Sequence, residues 1–87
     1  MRKYILRPSF GKNYKKLVPK VKLQFKVRRG IFLQNSSNPI LNNHPLHGKY
    51  EGYNSINITG DYRAIYELVG EVVIFIRIGT HSELFGK

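Results

Sequence analysis

Ile56-Asn57-Ile58-Thr59-Gly60-Asp61-Tyr62-Arg63-Ala64-Ile65-Tyr66-Glu67-Leu68-Val69-Gly70-Glu71-Val72-Val73-Ile74-Phe75-Ile76-Arg77-Ile78 is the stretch on which the fold turns. Ile56 and Ile58 alternate with polar neighbours, Gly60-Asp61 turns the chain, and Tyr62 to Leu68 is rich in strand-forming residues. Val69-Gly70-Glu71 is a tight connection, after which Val72 to Ile78 reads as a third, more fully buried strand. Consecutive strands joined by such short turns pair antiparallel, so this part of the chain is a meander. A meander must cover one face, and the segment upstream is what remains to cover it.

Upstream, Lys3 to Leu6 is a short run of strand formers broken by Pro8-Ser9, with Ser9 placed to cap a helix. Phe10, Tyr14 and Leu17 follow at i, i+4 and i+7, the spacing of one helical face, although Gly11 and Asn13 weaken that helix. Pro19 can open a second helix, because the first helical position needs no amide hydrogen. The residues after it are ambiguous. Val21, Leu23, Phe25 and Val27 alternate with polar residues as a strand would, whereas a helix groups Val21, Phe25 and Phe32. The length of Lys20 to Gln34 favours a helix, and the local pattern does not settle it. Asn35-Ser36-Ser37-Asn38-Pro39 and Asn42-Asn43-His44-Pro45 are loop. The expected fold is α+β, two N-terminal helices packed on a small antiparallel β-sheet, in one domain over residues 1–87.

A chain of 87 residues buries only roughly 60–65% of the surface it exposes unfolded, so its stability is modest. Hydrophobic content of 41% with 13% aromatic marks a folded protein rather than a disordered tail. The net charge is +10, and all eleven basic residues from Arg2 to Arg29 fall in a stretch without a carboxylate, while the five acids lie from Glu51 onward. That asymmetry suits RNA, DNA, an anionic membrane or an acidic protein, and a solvated face that merely keeps the chain soluble accounts for it as well. With no cysteine there is no disulfide and no thiolate metal site. The longest apolar run, Val72 to Ile76, is stopped by Arg77, too short to span a membrane. The basic N-terminus lacks the apolar core of a secretory signal, so the expected location is the cytoplasm.

His44, Asp61, Arg63, Arg77 and His81 are the polar, titratable or cationic groups at strand ends and loops that a meander brings together. Singly each has an ordinary explanation: an Arg in a strand faces solvent, and Asp in a Gly-Asp turn bonds backbone amides. Together they suit cleavage of RNA by its own 2′-hydroxyl. One group takes that proton, another protonates the departing 5′-oxygen, and a guanidinium steadies the charged phosphorane. His44-Pro45-Leu46-His47 matches no strong zinc signature, and the nearby arginines oppose a cation, so neither metal nor cofactor is expected. Tyr50, Tyr53, Tyr62 and Phe85 are candidates to stack on bases, while Tyr66 and Phe75 are expected in the core.

Read in order, His44-Pro45-Leu46-His47-Gly48, Gly52-Tyr53, Ile58-Thr59-Gly60-Asp61-Tyr62-Arg63-Ala64-Ile65-Tyr66 and Ile78-Gly79-Thr80-His81-Ser82-Glu83-Leu84-Phe85 resemble the RelE/YafQ-type family of small bacterial toxins over residues 42–86. The resemblance implies a RelE-like fold, with 20–34 helical. It also implies a metal-independent endoribonuclease that cuts messenger RNA in the ribosome and is silenced by a cognate antitoxin. It carries catalytic and substrate-positioning roles to His44, Asp61, Arg77, His81 and Phe85: His81 as principal acid or base, Asp61 as a second proton-transfer or orienting group, Arg77 as phosphate stabiliser, and Phe85 to position a base. Arg63, Tyr62, Lys49, Lys15, Lys16 and Lys22 are the further RNA-binding candidates.

Two positions depart from the YafQ-like pattern: Asn57 stands where that branch has histidine, and Tyr62 where it has tryptophan. Asparagine transfers no proton, whereas tyrosine keeps a stacking surface. The rival readings are a ParE-like toxin that binds DNA gyrase, a weakly active member that survives as an RNA- or antitoxin-binding component, and a plain RNA-binding module. His81 with Asp61 and Arg77 argues against the first, since a pure binder needs no proton-transfer set.

Overall fold

The computed structural model describes residues 2–86. Its strands are β1 (Lys3–Leu6), β2 (His44–Pro45), β3 (Asn54–Asn57), β4 (Tyr62–Val69) and β5 (Val72–Thr80), and its helices α1 (Pro8–Lys15), α2 (Pro19–Gln34) and α3 (His81–Phe85). Short 3₁₀ turns occupy Pro39–Leu41 and Gly48–Tyr50. One sheet has the order β1-β5-β4-β3-β2.

Both long helices begin on a proline, which tolerates the first helical position. Ser9 does not cap α1; the cap position is Arg7, and the Ser9 hydroxyl instead donates to the Ile76 carbonyl at 2.6 Å. The ambiguous segment is helical: Val21, Phe25 and Phe32 are buried, while Leu23 and Val27, which gave the strand-like alternation, stand exposed at 64% and 48%. The buried set meets Phe10, Ile56, Ala64, Tyr66, Val73, Phe75 and Ile78 in one core. Ring contacts knit the two layers, with centroids 5.3 Å apart for Phe25 and Phe75 and 4.8 Å for Phe32 and Tyr66.

The meander forms as expected, β3–β4–β5 antiparallel with β2 added at the far edge. Gly70, at φ 60, takes the left-handed conformation that the β4–β5 turn needs. Beyond this, β1 pairs parallel to β5, so the sheet is mixed rather than wholly antiparallel. Short turns dictate only the pairing of neighbours along the chain, and nothing local states which edge a four-residue strand joins.

Two irregularities in β5 matter for the site. Ile65 opposes Arg77 but Tyr66 opposes Phe75, so Ile76 is the extra residue of a β-bulge. Strict alternation from Phe75 would turn Arg77 toward the helices; the bulge gives that face to Ile78 instead and puts Arg77 on the opposite face, across from Ile65. Second, β1 ends at Leu6 and leaves the edge of β5 unpaired, so α1 continues the ladder. The Arg7 amide donates to Phe75 O at 3.0 Å, Ser9 to Ile76 O, and Asn13 Oδ1 accepts from the Ile78 amide at 3.2 Å. Among the described residues no helix is long and apolar enough to cross a membrane.

Candidate active site

The sheet face away from α1 and α2 carries the site. Cross-strand register aligns His44, Ser55, Ile65 and Arg77 in one row, and Asn57, Arg63 and Gly79 in the next. Side chains in a row share a face. His44, expected in a loop, therefore sits on an edge strand, which fixes its place relative to β3 and β4.

α3 folds back over this face and buries Leu84 against Leu46, Tyr50 and Ile65. A capping box starts it: the Thr80 hydroxyl accepts from Glu83 N at 3.1 Å while the Glu83 carboxylate accepts from Thr80 N at 2.8 Å. Gly79 makes room, since a Cβ there would lie 2.9 Å from Glu83 Oε1. The His81 amide donates to Asp61 O at 3.1 Å, tying α3 to the β3–β4 turn. One helical turn separates His81 from Phe85, whose ring centroids are 4.9 Å apart, and Phe85 also meets Tyr50 edge-on at 5.8 Å.

These elements enclose a cleft of about 370 Å³ lined by His44, Arg63, His81 and Phe85 with Asn42, Leu46, His47 and Ser55. Arg63 Nη1 donates to the carbonyls of Thr59, Gly60 and Tyr62 at 3.1–3.2 Å, so it braces the turn that carries Asp61. His44 Nδ1 lies 2.7 Å from Asn42 O. Ser55 is 1% exposed, and its hydroxyl has no hydrogen-bond partner among the described residues. The Tyr66 phenol donates to Asn43 Oδ1 at 2.8 Å and pins the loop before His44 to β4; burial raises its pKa.

Arg77 lines a neighbouring cleft of about 250 Å³ with Asn13, Lys16, Tyr62 and Glu83. Its Nε donates to Asn13 Oδ1 at 3.0 Å and its Nη1 to Tyr50 Oη at 3.2 Å, a fixed orientation at the sheet edge. The exposed Asp61 carboxylate lines neither cleft, and the residue reaches His81 through its backbone carbonyl. Of the other basic candidates, Lys16 joins Arg77, Lys49 lies over the Tyr50 ring, Lys22 lies over Tyr14 in the helical layer, and neither Lys15 nor Lys49 lines either cleft. Tyr62 packs partly against the main core, which restricts its stacking surface.

Sequence reasoning missed Asn42, Ser55 and Asn13 as parts of the site, and named Tyr50 only as a base-stacking candidate, not as the partner that accepts from Arg77. Asn42 and Ser55 looked like loop and strand polar residues, and Asn13 like a flaw in α1. His47 figured only as a metal candidate; it lines the cleft mouth 3.7 Å from Glu51, a solvent-exposed pair. Among the described residues no three His, Cys, Asp or Glu side chains group as metal ligands.

Comparison with known proteins places this geometry. A 47-residue stretch, 54% of this chain, is 38% identical to the mRNA interferase toxin YafQ of Escherichia coli K12; it spans 51% of that relative, so the chain aligns with about half the curated protein's length. The crystal structure of YafQ from E. coli BL21(DE3) superposes with a TM-score of 0.82 at 26% identity, covering 99% of this chain and 100% of that one. The toxin in the E. coli DinJ-YafQ complex gives 0.79 at 27% identity, with 98% of each chain covered. The family model described as the bacterial toxin of a type II toxin-antitoxin system, YafQ, matches residues 2–86. With both the sheet and the cleft-bearing C-terminal half in agreement, this chain belongs to the YafQ family of bacterial type II toxins.

Proposed function

We propose that this protein is an mRNA endoribonuclease toxin, acting as one domain over residues 1–87 in the cytoplasm and held in check by a cognate antitoxin. The observation that carries the reading is the convergence of His44, Arg63, His81 and Phe85 on one cleft. An E. coli relative bears the name mRNA interferase, and another was solved in a toxin-antitoxin complex.

In this reading the substrate's 2′-hydroxyl attacks the adjacent phosphorus and the 5′-oxygen leaves, giving a 2′,3′-cyclic phosphate. His44 and His81 take and return the protons, each typically worth about 10²–10⁴ in rate. Arg63 contributes charge to the phosphate inside the cleft. His44 and Arg77 stand three strands apart in their row, roughly 14 Å between α-carbons at the usual strand spacing. Arg77 therefore holds phosphate at the flank, in the orientation set by Asn13 and Tyr50. Phe85 offers a ring on which a base stacks, and Asp61 orients His81 through its carbonyl. No step needs a metal. The basic residues of β1, α1 and α2 lie mainly on the helical layer and suit ribosomal RNA, while the cleft takes the message.

The test is to incubate antitoxin-free protein with a defined mRNA in EDTA, with and without programmed ribosomes, and to map the cut ends. Cleavage that leaves 2′,3′-cyclic or 3′-phosphate ends is the expected result. Intact RNA in both conditions from a protein that still arrests growth contradicts the nuclease reading and turns attention to gyrase.

A further inference from the structure

Asn42 is the one non-glycine residue with positive φ among the described residues, at φ 45 and ψ 48, in the left-handed region that asparagine tolerates better than other side-chain-bearing residues. It ends the Pro39–Leu41 turn with its amide donating to Pro39 O at 3.2 Å. The chain then reverses direction into β2, and the Asn42 carbonyl meets His44 Nδ1 at 2.7 Å. A carbonyl oxygen only accepts. Nδ1 must therefore carry the hydrogen, and in the neutral imidazole Nε2 keeps its lone pair. Since Asn42 and His44 both line the cleft beside Arg63 and His81, the lone pair belongs to a side chain at the place where a 2′-hydroxyl proton is to be removed.

We propose that Asn42 is a positioning residue whose left-handed backbone fixes the Nδ1–H tautomer of His44 and so makes His44 the general base of the cleft. This rests on the nuclease reading for its consequence but not for its geometry. The element that matters is the Asn42 carbonyl, not its side chain. Any residue that keeps the left-handed conformation preserves the bond, and any residue that resists it swings the carbonyl away. Glycine keeps it without strain; alanine resists, and β-branched valine resists more.

The experiment is long-range ¹H–¹⁵N correlation of the histidine rings in the RNA-free protein, at a pH where His44 is neutral, for wild type, Asn42→Gly, Asn42→Ala and Asn42→Val. Dispersed amide spectra verify that each variant folds. The expected result is Nδ1–H with an unprotonated Nε2 at His44 in wild type and Asn42→Gly, and increasing Nε2–H tautomer through Asn42→Ala to Asn42→Val. In single-turnover cleavage the rate should fall from Asn42→Gly through Asn42→Ala to Asn42→Val, three variants that all lack the amide side chain. The loss in Asn42→Val is expected at about tenfold or more, with the roughly 10²–10⁴ that a general base supplies as its ceiling. An Nε2–H tautomer in wild type, or a His44 tautomer indifferent to the whole series, overturns the proposal. Because the tautomer is read without RNA, the proposal is decided whether or not the protein proves to cut RNA.

Discussion

Tyr66 joins the main core to the loop that delivers His44, through one hydrogen bond to Asn43. The phenol donates to Asn43 Oδ1, and its burial raises the Tyr66 pKa. A raised folded pKa means that the native protein keeps this proton where the unfolded chain has lost it. The contribution is thus fully present below the unfolded value of about 10 and is lost as pH climbs through the folded one. Tyr66→Phe is expected to cost about 1 kcal/mol at neutral pH, the net worth of an ordinary hydrogen bond, and to flatten the alkaline fall in stability; denaturant titrations from neutral to strongly alkaline pH check both. Individual residues were unevenly legible in the sequence. His44, His81 and Phe85 stood out because imidazole and aromatic rings near strand ends carry chemical meaning by themselves. Asn42 and Ser55 did not, since one matters through a backbone angle and the other through its row in the sheet, and neither is visible in residue type. Arg77 stood out as an interruption of an apolar strand, but its anchoring by Asn13 depends on a contact across 64 residues.

Among the elements, α3 has the most work for its length: five residues hold His81 and Phe85 over the sheet. Its seating depends on Gly79, because an added Cβ would press on the Glu83 carboxylate that completes the capping box. Gly79→Ala is expected to displace Glu83 and weaken α3 by about 0.5–2 kcal/mol, the usual range for a lost cap. The change is local, so hydrogen exchange should quicken in residues 82–86 while β4 and β5 keep their protection; unchanged exchange in α3 would show that the box does not seat the helix. The meander was readable because turn residues and alternation report on neighbours in the chain. The parallel docking of β1 was not, and neither was the bulge at Ile76, which depends on how two strands share their pairing. The helicity of 20–34 needed the family resemblance. Its exposed Leu23 and Val27 imitate a strand's apolar alternation, and only the core that collects Val21, Phe25 and Phe32 shows which apolar residues count.

For the molecule as a whole, a charge of +10 on 87 residues means that the RNA binding proposed for it should depend on salt. Each phosphate contact to a single strand contributes about 0.7 to the slope of log affinity against log salt, so replacing Lys15 and Lys16 with Gln should reduce that slope by about 1.4 if both touch RNA. Binding measured across a salt series gives the number directly, and an unchanged slope removes both lysines from the interface. The charge asymmetry was plain in the sequence, but its partition between two faces was not: the helical layer holds most of the lysines, and the sheet face holds the histidines with Arg63 and Arg77. The central claim, that the cleft beneath α3 cuts RNA by proton transfer, rests most directly on His81. Its measurement is the single-turnover cleavage of ribosome-programmed mRNA in EDTA by wild type and by a folded His81→Ala variant. A rate reduced by about 10²–10⁴ with binding retained is the predicted result, and a variant that cuts as fast as wild type contradicts the account.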